Sequence, residues 1–179
     1  FDNWGQGELD KINFNDQNNI ITTNIALPAQ ASVFKILHPN NISDEFFILI
    51  GSEIYKTTNG GTDWTPVSLG NSFPFEAAIF DIVQNPKNLN QLALGTSEGV
   101  YVSNDKGVTW NQVSEFFANK VAYSDVNSGV LVATTYTSQF NQFNVYYSVD
   151  NGANWKNIDR ADLLHSETSS VTIDFSDKN

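Results

Sequence analysis

The chain has no cysteine and no methionine in its 179 residues, and Arg160 is its only arginine. Without cysteine there are no disulfides and no thiolate metal sites, and that absence fits secretion and the cytosol equally. Basic residues are scarce: nine Lys and Arg stand against twenty Asp and Glu, for a net charge of −11. No basic stripe exists for nucleic acid, and an anionic membrane surface is disfavoured for the same reason. No apolar run approaches a transmembrane span, so no membrane insertion is expected. P-loop, dinucleotide-binding, His-Glu-x-x-His and Ser-His-Asp signatures are all missing, and nothing points to a cofactor or a metal. The chain starts at Phe1 rather than at a methionine, so the numbering is expected to begin inside a longer precursor. The lack of a leader is then uninformative.

What is present is globular, strand-forming material. Hydrophobic residues make up 40% and aromatics 13%, led by 13 Phe. That is too much apolar surface for a disordered chain, and aromatics favour strands. Three turn-like octapeptides organise the sequence: Thr57 to Trp64, Ser103 to Trp110 and Ser148 to Trp155. The second and third read Ser-x-Asp-x-Gly-x-Thr/Asn-Trp, and the first substitutes Thr57 and Asn59. The closing tryptophans, Trp64, Trp110 and Trp155, lie 46 and 45 residues apart, a spacing that marks a structural repeat. Each copy follows a strand-like run bearing a tyrosine. Asn59, Asp105 and Asp150 can accept backbone N–H groups a few residues on, closing an Asx-type turn. Thr57, Ser103 and Ser148 add a hydroxyl. Gly61, Gly107 and Gly152 supply a positive φ. The tryptophan then buries its ring and seeks an acceptor for its N–H.

This pattern resembles the Asp-box, or BNR repeat, of sialidases, xyloglucan-cleaving endoglucanases and sortilin-like receptors. The resemblance implies an all-β fold, a partial β-propeller of four-stranded antiparallel blades. In it the Asp-box is a structural turn between the third and fourth strands, away from the catalytic face. Along the chain, residues 1–31 are irregular, with edge strands at Leu9–Phe14 and Asn19–Ile25. Their length suggests an insertion, or an edge strand closing something. Blades are expected over 32–69, 77–115 and 120–159, and 170–179 reads as the first strand of a further blade. About three and a half blades do not close a propeller of ~4–8 blades, so the remaining blades of a longer chain are expected.

In a propeller so arranged, the first-to-second and third-to-fourth turns share one face, and the other connections share the opposite face. On that opposite face the ligand-binding candidates are Phe73, Phe75, Tyr136 and Phe140, whose rings can stack on sugars or pack on a neighbouring blade, and the polar Arg160 and His165. Sialidases need three arginines around the substrate carboxylate, and this chain has one. Xyloglucanases use two aspartates as acid and base. The catalytic candidates of that kind are Asp81 and Asp174, both inside expected first strands, where a structural aspartate is the competing reading. The sequence therefore reads as a non-catalytic binding or structural segment of an exported or surface bacterial protein, engaging a glycan or a protein partner. The alternative is a glycoside hydrolase fragment whose carboxylates are split between this piece and missing blades.

Overall fold

The computed structural model describes residues 9–14, 20–29, 32–38, 44–71, 73–74, 76–137 and 142–158. Among them there is no helix, and every element is a strand. The chain forms two compact units, Phe1–Pro66 and Val67–Asn179.

The first unit holds a hairpin, β1 (Leu9–Phe14) and β2 (Ile20–Ile25), paired antiparallel from Leu9↔Ile25 to Phe14↔Ile20. It also holds a four-stranded sheet in the order β3 (Val33–Leu37), β4 (Phe46–Ile50), β5 (Glu53–Thr57), β6 (Thr65–Pro66). The central strand Phe-Phe-Ile-Leu-Ile is buried at all five positions, as an unbroken apolar run requires. Its Phe46, Ile48 and Ile50 meet Ile25 in one cluster, joined by Leu9, Leu27 and Trp64, so the hairpin covers one face of this sheet.

The second unit holds two sheets of the same pattern. One is β7 (Ile79–Asn85), β8 (Asn88–Thr96), β9 (Gly99–Ser103) and β10 (Asn111–Gln112). The other is β11 (Lys120–Tyr123), β12 (Leu131–Thr137), β13 (Gln142–Ser148) and β14 (Lys156–Asn157). All neighbours are antiparallel and sequential. Between the two sheets lies a core of Ala93, Val100, Val102, Val121, Leu131 and Ala133, with Val113, Phe116 and Trp155 packed against it. Fully burying a side chain such as Leu131 contributes about 1.5–3 kcal/mol.

The fourth strands are the shortest: each pairs over only two residues and begins just after its tryptophan. These are outermost strands, with exposed residues and, in β6, Pro66, which has no N–H to give a ladder.

Candidate functional site

The three octapeptide turns share one hydrogen-bond ring. In the second, the Ser103 hydroxyl donates to Asp105 Oδ1 at 2.8 Å and accepts the N–H of Gly107 at 2.8 Å. Asp105 Oδ1 also accepts the Thr109 N–H at 2.8 Å, and Oδ2 accepts the Thr109 hydroxyl at 2.6 Å. In the third, Ser148, Asp150, Gly152 and Asn154 repeat every bond, with the Asn154 side-chain amide replacing the threonine hydroxyl. In the first, Thr57 and Asn59 close the ring on Gly61 and Asp63. The neutral Asn59 donates its amide to Asp63 at 2.8 Å, so acceptor and donor exchange roles at that corner. Gly61, Gly107 and Gly152 have φ of 90°, 84° and 89°, where a β-carbon is resisted.

These bonds hold Asp105 and Asp150 as anions. The Thr109 hydroxyl and N–H, with Ser103, lower Asp105 to about 2. The Asn154 amide, Ser148 hydroxyl and Asn154 N–H lower Asp150 to about 2. The three bonds that each carboxylate accepts here all come from its own turn, which is the geometry of a clip. Each clip is also tied to the chain where the second strand of its sheet begins, to the preceding connection in the first and third and to β8 itself in the second: Gly60 N to Asp44 O, Lys106 N to Asn90 O and Asn151 N to Gly129 O, at 2.9, 2.8 and 2.9 Å.

The tryptophans close against different acceptors. Trp155 Nε1 donates to Val113 O at 2.9 Å, on the chain leaving β10, and a Cβ on Gly152 would lie 2.7 Å from Val113 Cγ2. Trp64 Nε1 donates to Ala26 O at 2.8 Å, and a Cβ on Gly61 would overlap Ile25 Cγ2. The end of β2 therefore serves the first turn as the end of β10 serves the third. Trp110 is satisfied locally, by Gly107 O at 3.2 Å.

At the opposite end of the second unit the β8–β9 turn meets the other connections. Ser97 N bonds Ala78 O, Gln112 Nε2 bonds Glu98 O, and Ala118 N bonds Thr96 O. Phe73 lies here with its ring edge on Tyr101, centroids 5.0 Å apart. Phe116 stacks on Tyr146 at 4.1 Å and meets Trp155 edge-on. Phe117 leans against Phe80 at 5.1 Å. Tyr136 belongs to β12, opposite Phe143, but its side chain lies outside the described residues. Phe75, Phe140, Arg160, His165 and Asp174 also lie outside them. The open cleft among Gln112, Val113, Ser114, Glu115, Gly152 and Ala153 brings none of the candidate ligand-binding residues together.

Asp81 is buried, 2% exposed. Its Oδ1 accepts the N–H of Ile82 at 3.0 Å and its Oδ2 accepts the N–H of Val121 at 3.2 Å. The carboxylate thus joins the inner strands of two adjacent sheets. Among the described residues no cluster of three or more His, Asp or Glu is arranged to hold a metal.

Sequence reasoning passed over three features. Phe80 and Phe117 were not singled out, although Phe34 and Phe80 hold the same place in the two Val/Ile-Phe-x-Ile strands. A buried amide relay was also missed. Asn85 Nδ2 donates to Gln91 Oε1 at 2.7 Å and Ser128 O at 2.8 Å, and Gln91 Nε2 donates to Asn104 Oδ1 at 2.9 Å. Nothing in the sequence distinguishes Asn85 from the many turn asparagines around it.

No family model matches the chain, and no curated protein matches it in sequence. Solved structures do match it in fold. An ancestral GH74 enzyme is 20% identical with a TM-score of 0.59, over 72% of this chain and 18% of that one. YCF48 bound to D1 peptide is 18% identical with a TM-score of 0.58, over 75% and 41%. A chain of the nidogen/laminin complex is 11% identical with a TM-score of 0.62, over 87% and 59%. The chain spans less than two thirds of each of these proteins. Among the described residues no helix is long and apolar enough to cross a membrane. Three antiparallel four-stranded sheets and these likenesses give the fold: an all-β partial β-propeller.

Proposed function

We propose that this chain is a segment of an Asp-box propeller that acts by binding a protein partner, in an exported or cell-surface protein, and that its own residues catalyse nothing. The observation that carries the non-catalytic part of this reading is the state of Asp81. A glycosidase acid or base has to reach a substrate oxygen. Asp81 is buried and gives both oxygens to backbone N–H groups. The three shared turns support the Asp-box assignment, since hydroxyl, carboxyl or amide, and glycine fill the same bonding roles in each. Propellers host unrelated functions, so fold likeness does not choose among them. The YCF48 and nidogen/laminin structures, each seen with a partner, support protein binding as one use of this scaffold, alongside the GH74 enzyme that shares it.

The test is an assay of the full-length protein against xyloglucan and related glucans. The expected result is no hydrolysis. Hydrolysis abolished by Asp81→Asn or Asp174→Asn would instead establish the glycoside hydrolase reading.

A further inference from the structure

Two inner strands carry the same irregularity. β3 shifts register between Val33 and Lys35, and β7 shifts between Ile79 and Asp81. The extra residue is phenylalanine both times, Phe34 and Phe80. A bulge leaves its extra residue out of the ladder and re-aims the side chain, and bulges concentrate at sheet edges, where β3 and β7 lie, and beside functional sites. Phe34 is 68% exposed and Phe80 is 37% exposed. Keeping a phenyl ring in water forgoes burial energy, so its recurrence at one position in two sheets asks for a use.

In the second unit Phe80 is joined by Phe117, with centroids 5.1 Å apart and ring planes 51° to one another. Phe117 is firmly held. The next residue, Ala118, donates to Thr96 O at 3.0 Å, and Asn119 donates to Thr134 O at 3.0 Å. Ala118 also sits so close to the sheet that a Cβ on Gly95 would come within 2.7 Å of its carbonyl oxygen. The connections at this end carry the exposed carboxylates Glu76, Glu98 and Glu115, and among the described residues none of the three has a cationic partner.

We infer, building on the reading of a protein-binding module, that Phe80 and Phe117 anchor a cationic side chain of a basic, extended peptide segment, with Glu76, Glu98 and Glu115 supplying countercharge along it. An aromatic face attracts a guanidinium or ammonium through its quadrupole, and nearby carboxylates add to that attraction. A neutral sugar would stack on the rings and donate hydroxyls to a carboxylate, but it gains no charge–charge attraction from the three together. Three carboxylates on three separate connections offer more charge, more widely spread, than one small cation needs. A chain with several positive side chains fits that spread.

The experiment titrates the full chain into a fluorescein-labelled arginine–serine repeat peptide and, separately, its glutamate–serine counterpart and a xyloglucan oligosaccharide. The expected result is binding of the basic peptide alone, weakened by salt. Phe80→Ala and Phe117→Ala should each weaken it about tenfold, as interface anchors do. Val149→Ser, an exposed valine in the third octapeptide turn at the other end, should leave it unchanged. If an alanine variant fails to fold, Phe80→Leu keeps the apolar bulk, removes the aromatic face, and should still weaken binding. Absence of basic-peptide binding, binding indifferent to the phenylalanines, or oligosaccharide binding through them would each overturn the inference. The non-catalytic reading would stand in all three cases, because it fails only on hydrolysis.

Discussion

The carboxylate of Asp81 accepts the backbone N–H of Val121 at 3.2 Å, across 40 residues of sequence and from one sheet to the next. Val121 belongs to β11, the innermost strand of its sheet, which has a partner strand on one side only. A buried N–H without an acceptor costs about 1–3 kcal/mol, so the aspartate removes a penalty that the fold itself creates. We predict that Asp81→Ala destabilises the protein by about 2–4 kcal/mol, since it leaves two buried N–H groups without this acceptor. Asp81→Asn, which keeps one acceptor oxygen, should cost less. Urea unfolding of the two variants checks the order, and equal costs would count against the strand-joining role.

Two glycines with positive φ should respond very differently to alanine. At Gly99 (φ 134°) a Cβ would overlap Ser114 O, whereas at Gly51 (φ 59°) it would meet nothing within 4 Å. Gly51→Ala should cost about 1 kcal/mol, the backbone preference alone. Gly99→Ala should cost more than about 3 kcal/mol or prevent folding, because the obstacle is main chain and cannot step aside. Thermal melts of the pair decide it.

Gly152 and Val113 should be energetically coupled. A Cβ on Gly152 would press on the Val113 side chain, which can be trimmed, unlike a carbonyl. Gly152→Ala should be strongly destabilising alone and partly rescued by Val113→Ala, with a coupling of about 0.5–3 kcal/mol in a double-mutant cycle. Strict additivity would mean that strain at φ 89° is the whole effect.

Asp105 and Asp150 both sit at about 2, below the 3.8 of a free aspartate. The unfolded chain therefore binds protons first as pH falls. The stability these two groups contribute is fully present above 3.8 and is lost as pH drops from there through about 2. Asp105→Asn/Asp150→Asn should flatten that acid limb while leaving the turns closed, as Asn59 closes the first one. Denaturant midpoints measured at neutral pH and at the acid end check this. An unchanged acid limb would place the sensitivity elsewhere.

The three clips were legible because each ring closes within a few residues: Ser103 to Gly107 and Asp105 to Thr109 are local bonds, decided by residue type and spacing. The strands around them were legible from unbroken apolar runs such as Phe46–Ile50. The candidate site was not. Phe73 and Phe80 look alike as letters, and only the structure sets Phe73 against Tyr101 and leaves Phe80 at an exposed bulge beside Phe117.

The repeat, the turns and the four-strand unit follow from residue order, since short-range hydrogen bonds and hydrophobic period are properties of neighbouring residues. The tertiary structure alone decided that Asp81 bonds to Val121, and that the end of β2 meets Gly61 and Trp64 as the end of β10 meets Gly152 and Trp155. Those partners are tens of residues apart. Which N–H needs an acceptor, and which ring is left in water, is fixed only when separate strands pack and their edges meet.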